Sequence, residues 1–187
     1  MPKHQTNLKL SRTIITIIGT LAIIGFISGI MSYLHRPATY KPNDPAANAI
    51  LAHILLAITT LIVVIAIQAY RTRRHLPSIW LAPFSTNAYR RVTRTLVPRP
   101  FALAGVLRII PCLLLLYVLL WEPYRAALQI VGALDPAFTA NAWGGPSYLG
   151  ASLAHWLDGL LLFYGSAYLL HLVMAKVPND EKQIKPV

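Results

Sequence analysis

The sequence predicts an all-α integral membrane protein, a four-helix bundle with both termini cytoplasmic. Three observations carry this expectation. Only 12 % of the 187 residues are charged and 56 % are apolar, whereas a soluble domain carries about 25 % charged residues. A chain so poor in charge cannot cover a folded surface with polar groups, which excludes a soluble enzyme, a disordered tail and a fibre. Four apolar runs each reach the roughly 20 residues that a membrane crossing needs. The basic residues are sorted to one side of those runs.

The runs are Thr13 to Leu34, Ala47 to Tyr70, Phe101 to Trp121 and Tyr148 to Val173. None alternates apolar and polar residues strictly, so barrel strands are a poor reading. The first run has too long an apolar core for a signal peptide and is expected to stay in the protein. Its Gly25 and Gly29 (GFISG) read as a close helix-packing face. The third run holds the single cysteine, Cys112, and Pro111 is expected to kink it. Residues 35–46 read as a Pro-rich turn, and IWLAPF within 71–100 suits the membrane interface. Residues 122–147 open with EPYRAALQIVGAL, which suggests a short interfacial helix, and continue as a loop. Trp80, Trp121, Trp143 and Trp156 fall near the predicted boundaries, where interface anchors belong. The whole chain reads as one transmembrane domain.

Orientation follows from the cations. Lys3, Lys9 and Arg12 precede the first run. Arg71, Arg73, Arg74, Arg90, Arg91, Arg94 and Arg99 lie between the second and third. Lys176, Lys182 and Lys185 follow the fourth. Thirteen of the 17 basic residues thus share one side, which the positive-inside rule makes cytoplasmic. Topology and anionic lipid account for the net charge of +11, so nucleic acid is not an expected partner. The expected setting is a bacterial inner membrane.

Ionisable groups inside a span are costly, and each is a functional candidate. They are His53 in the second run, Arg108 in the third, and His155, Asp158 and His171 in the fourth. With both termini inside, the second and fourth runs point the same way. His53 lies about six residues into one and His155 about seven into the other, so at 1.5 Å per residue the rings share a level within a few ångströms. Two imidazoles at one level on facing helices suit the axial positions of one haem b. Gly159, at i+4 from His155, and Ser166 lie on the same stripe as that histidine, and Ala57 and Thr60 follow His53 in the same way, leaving room beside the ligands. The alternatives are histidines bonded to hydroxyls or water, another metal, or a proton path. Asp158, one turn from His155, suits a hydrogen bond or proton handling. Arg108 either snorkels or meets an anion such as a haem propionate or a quinone carbonyl. His171 lies near the inner interface.

The histidine early in the second run (AHILLAITTLIVVIAIQAYR) and the pair in the fourth (LAHWLDGLLLFYGSAYLLHLV) resemble the bacterial cytochrome b561 family. That family includes the b-type membrane subunits of hydrogenases and formate dehydrogenases. The resemblance implies haem b and electron exchange between a quinone pool and a redox partner, with His53 and His155 as ligands of the outer haem. It departs at the first run, where LKLSRTIIT has no histidine. It departs again at His171, which is 16 residues from His155 and so about 160° around the helix at about 100° per residue. One haem is therefore expected rather than two, with Asp158, Arg108 and His171 as a possible quinone or proton site.

Two other functions fit the same residues. One is a non-catalytic anchor or accessory subunit of a larger respiratory or photosynthetic complex. The other is a small transporter with Asp158, His155 and Arg108 as its path, against which the lack of inverted halves counts. No phosphate-binding loop, dinucleotide fingerprint, HExxH or cysteine cluster is present. Ser152, His155 and Asp158 follow at i, i+3 and i+6 on one helix, a spacing that arises by chance.

Overall fold

The computed structural model describes residues 9–36, 51, 54–55, 58–62, 65–66, 80–98, 103–140, 142, 144 and 146–176. Its described elements are helical, apart from an isolated bridge between Leu10 and Ser85. They are α1 (Arg12–Leu34), a 3-10 turn (Ala82–Phe84), α2 (Thr86–Leu96), α3 (Leu103–Leu107), α4 (Ile109–Gly132), α5 (Pro136–Thr139) and α6 (Tyr148–Val173). Among the described residues, three helices are long and apolar enough to cross a membrane: Arg12–Leu34, Gly105–Gly132 and Tyr148–Val173. This marks the chain as a membrane protein by length and composition. The second expected run lies largely outside the described residues; those of it that are described, residues 51, 54–55, 58–62 and 65–66, are helical.

The first and fourth runs have the bounds expected of them, within a residue. Ser11 and Ser147 supply the N-caps, accepting from Ile14 N and Gly150 N, as short hydroxyl side chains do at a helix start. The third run differs. It breaks at Arg108, between α3 and α4. Pro111 has no N–H to give the carbonyl of Leu107, and its ring crowds that carbonyl, so the expected kink falls one turn before the proline. Beyond Trp121 the helix does not stop. It runs through Glu122 and Pro123 to Gly132, so residues expected to form a separate short interfacial helix continue the third one. AALQIVG keeps the apolar periodicity of the helix past Pro123.

α4 is the central helix, with α1 and α6 on its flanks. Gly25 and Gly29 lie against it. A Cβ built on Gly25 would stand 2.1 Å from the Tyr124 carbonyl oxygen, and one on Gly29 2.2 Å from that of Leu128. The expected packing face is therefore real, and it aligns α1 parallel to α4. α6 runs antiparallel. Trp156 Nε1 donates to the Ala126 carbonyl at 3.3 Å, and the Tyr148 hydroxyl to that of Ile130 at 3.1 Å. Trp156 is thus a helix-to-helix tie, and Trp121 lies within α4, where Tyr117 and Tyr124 pack on it. Trp143 lies outside the described residues.

One end of the bundle is basic. Lys9, Arg12, Arg90, Arg94 and Lys176 are exposed there. α2 closes it, its start tied to the head of α1 by Ser11 N to Phe84 O and Thr86 N to Lys9 O, both 2.8 Å. Phe84 reaches in to stack on Phe163, and Trp80 meets Tyr164 edge-on. At its other end α2 sends the buried Arg91 under the last turn of α6. The guanidinium donates to the carbonyls of His171 (2.9 Å), Met174 (3.2 Å) and Ala175 (3.2 Å), and to His171 Nδ1 at 2.7 Å. A helix leaves its last carbonyls without partners, and a cation there also answers the helix dipole. Arg91→Ala should lower the unfolding free energy by about 2–3 kcal/mol, the range for hydrogen bonds to a charged group. Arg91→Lys should recover only part, because an ammonium lacks the planar fork. Chemical unfolding in detergent, with hydrogen exchange at the end of α6, measures both.

Candidate functional site

The polar residues of the membrane domain gather where α4 meets α6, toward the end opposite the basic one. The antiparallel packing sets Glu122 beside Gly159 and Arg125 beside His155. Glu122 is 5 % exposed. Its Oε1 stands 3.7 Å from Arg125 Nη1, and its Oε2 lies 2.7 Å from where a Gly159 Cβ would be. Arg125 Nη2 donates to His155 Nδ1. Arg125, Ala154, His155 and Asp158 line a cavity of about 160 Å³.

The site therefore unites His155, Asp158 and Gly159, all expected, with Glu122 and Arg125, which sequence reasoning placed in a short interfacial helix outside the spans. The signal that finds them is the EPYR tetrad itself, an acid and a base at i, i+3 on an unbroken apolar periodicity. The other candidates lie elsewhere. Arg108 is exposed at the break between α3 and α4. His171 is about 160° from His155, as its spacing requires, and its ring and carbonyl both take bonds from Arg91. Ser152 is buried one turn beyond His155. His53 and Ala57 lie outside the described residues.

A guanidinium has donors and no acceptor, so His155 Nδ1 must accept, and the proton of the neutral ring is on Nε2. A second ring proton on Nδ1 would set two N–H groups against each other. Glu122 and Asp158 bring two carboxyl groups to the neighbourhood of this pair.

The same geometry tests the expected haem. An axial histidine gives iron a nitrogen lone pair and steadies itself by donating its other N–H to an acceptor. His155 has the reverse arrangement, with Nδ1 accepting and a proton on Nε2. The room expected beside it at Gly159 holds the Glu122 carboxylate. The 160 Å³ cavity is also smaller than the roughly 300–1,000 Å³ of ordinary cofactor pockets. In this arrangement the residues around His155 do not fit axial ligation of a haem. Among the described residues there is no group of three or more His, Cys, Asp or Glu able to hold a metal ion.

A second, open groove of about 370 Å³ runs along α4 between α1 and α6. Glu122 and Pro123 form its floor, Ile18 one wall, and Trp156, Gly159 and Phe163 the other. Glu122 thus sits between a polar cavity and an apolar groove. No family model matches the chain, and neither the curated proteins nor the solved structures contain a match to it.

Proposed function

We propose that the chain is a membrane subunit that holds a proton on the Glu122–Asp158 carboxyl pair, half-way into the bundle, in the service of a larger membrane complex. The observation that carries this reading is a polar seam with a dead end. Glu122 lies ten residues before the end of α4 at Gly132, about 15 Å along the helix at 1.5 Å per residue, which is half of a hydrocarbon core about 30 Å thick. From there to the basic end, Cys112, Leu119, Phe163, Leu170 and Met174 form an apolar core. A proton can be held at Glu122 and Asp158, and among the described residues the buried side chains beyond them on α4 and α6 are apolar apart from Ser166. A half-path suits a subunit that hands its proton to a partner better than a carrier that works alone. The four-span bundle, the cytoplasmic termini and the inner-membrane setting belong to the same proposal. Their support is that α1 runs toward the end opposite the basic one while Trp80 lies near the basic end, so the chain between them returns, and that the exposed cations collect where both described termini lie.

Difference infrared spectroscopy on the protein in nanodiscs tests this reading. A protonated-carboxyl band should be present and should be lost in Glu122→Gln or Asp158→Asn. Absence of that band overturns the proposal. A stoichiometric haem b, shown by the visible spectrum and by pyridine extraction, overturns it in favour of the electron-transfer reading, a cytochrome between a quinone and a redox partner.

A further inference from the structure

One turn beyond Arg125 and His155, away from the apolar core, two more polar side chains occupy the same seam. Gln129 is four residues after Arg125 on α4, and Ser152 is three before His155 on α6, so each falls on the face that holds the cluster. Two contacts bracket them: Arg125 with His155 on one side, and the Tyr148 hydroxyl on the Ile130 carbonyl on the other. They are 2 % and 1 % exposed. Gln129 Oε1 and Ser152 Oγ have no hydrogen-bond partner among the described residues. An orphaned buried oxygen is costly, and two of them at one level of one helix pair call for a shared partner. Neither a cation nor an anion is implied, since both groups are neutral. Water is the ligand that neutral oxygens of this kind bind, and buried waters are usually held by otherwise unsatisfied groups of this sort.

We infer that Gln129 and Ser152 hold bound water, and that this water joins the Arg125–His155–Asp158 cavity to the aqueous phase at the end of the bundle opposite the basic one. It is the entry by which the carboxyl pair exchanges its proton, and in that respect it rests on the proton-holding reading above. The seam then has a wet half, from Ser147 to Glu122, and a dry half beyond it.

The first test is thermodynamic and needs no function. If water satisfies Ser152, Ser152→Ala removes a bonded group and lowers the unfolding midpoint in detergent. If the site is dry, the same change removes an unpaired polar atom and leaves the midpoint unchanged or raises it, which overturns the inference. The second test is access. In a Cys112→Ala background, Ser152→Cys and Gln129→Cys should react with a small membrane-impermeant thiosulfonate applied to one face of the vesicles about tenfold faster than Leu119→Cys in the dry half. Equal, slow labelling of all three in folded protein overturns the inference. Fast labelling together with a missing carboxyl band sinks the proton-holding reading and leaves the water entry standing. A carboxyl band without labelling does the reverse.

Discussion

Gly25→Leu should separate α1 from the rest of the bundle. A Cβ at this position would stand 2.1 Å from a backbone oxygen and 2.9 Å from the carbonyl carbon of Tyr124, and backbone in the middle of a helix cannot step aside as a flexible side chain can. The helices must move apart along the contact. Because Gly29 makes the same approach to Leu128 one turn on, separation at one glycine loosens the other. The expected loss is about 3 kcal/mol or more, the upper part of the range for overpacking. The control lies on the same helix. Gly19 has nothing within 4 Å of a built Cβ, so Gly19→Leu adds the same side chain to the same helix without a clash. It should leave stability unchanged or raise it, because glycine inside a helix costs about 1 kcal/mol relative to better helix formers. Unfolding of the three proteins in one detergent, with a cysteine crosslink between α1 and α4 to report the contact, gives the comparison. Equal effects at Gly19 and Gly25 would mean that the close approach is not what holds α1.

That glycine pair was legible in the sequence, because two small residues four apart in an apolar run have few uses besides bringing backbones together. The ends of α1 and α6 were legible for an equally local reason: an apolar run bounded by a serine cap. His155, Asp158 and Gly159 could be singled out because any ionisable residue in such a run is conspicuous. What the sequence hid was the partner helix. Pro123 follows an acid and a tryptophan at the end of an apolar stretch, and local rules read that pattern as a boundary. Tertiary packing overrides them: the two glycine contacts on one side and the bonds from Trp156 and Tyr148 on the other hold Tyr124 to Gly132 in the helix. With that stretch read as a separate interfacial helix, Glu122 and Arg125 fall outside the spans and are not among the intramembrane candidates. Arg91 was hidden differently. It is one of seven arginines between the second and third runs, all equally suited to setting topology. Only the fold shows that Arg91, unlike the exposed Arg90 and Arg94, is turned inward to the carbonyls of α6. The level shared by His53 and His155 depends on residues outside the described part of the chain.

Arg125→Leu should cost about 3 kcal/mol, the upper end for leaving a buried group without its partner, and should cost far less once Glu122 is neutral. Arg125 Nη1 stands 3.7 Å from the carboxylate of Glu122, which is almost fully buried. Without the guanidinium, two carboxyls are left in a cavity of low dielectric. They relieve the charge by taking up a second proton or by disturbing the packing of α4 on α6. Glu122→Gln keeps the shape of the side chain next to Gly159 and removes one charge. The double variant, Arg125→Leu with Glu122→Gln, should therefore lie close to Glu122→Gln alone, giving a coupling of about 2–3 kcal/mol in the cycle. If the ion pair were an ordinary exposed one, the coupling would be below about 1 kcal/mol, and the two changes would simply add. His155 supplies a readout that stability cannot imitate. While Arg125 donates to Nδ1, the ring proton is confined to Nε2, and nitrogen NMR should show that single tautomer. In Arg125→Leu the constraint is gone, and both tautomers or the doubly protonated ring become accessible. A ring that already carries its proton on Nδ1 in the wild-type protein would leave Nε2 open to a metal. The histidine itself, rather than a carboxyl group, could then take up a proton at this site.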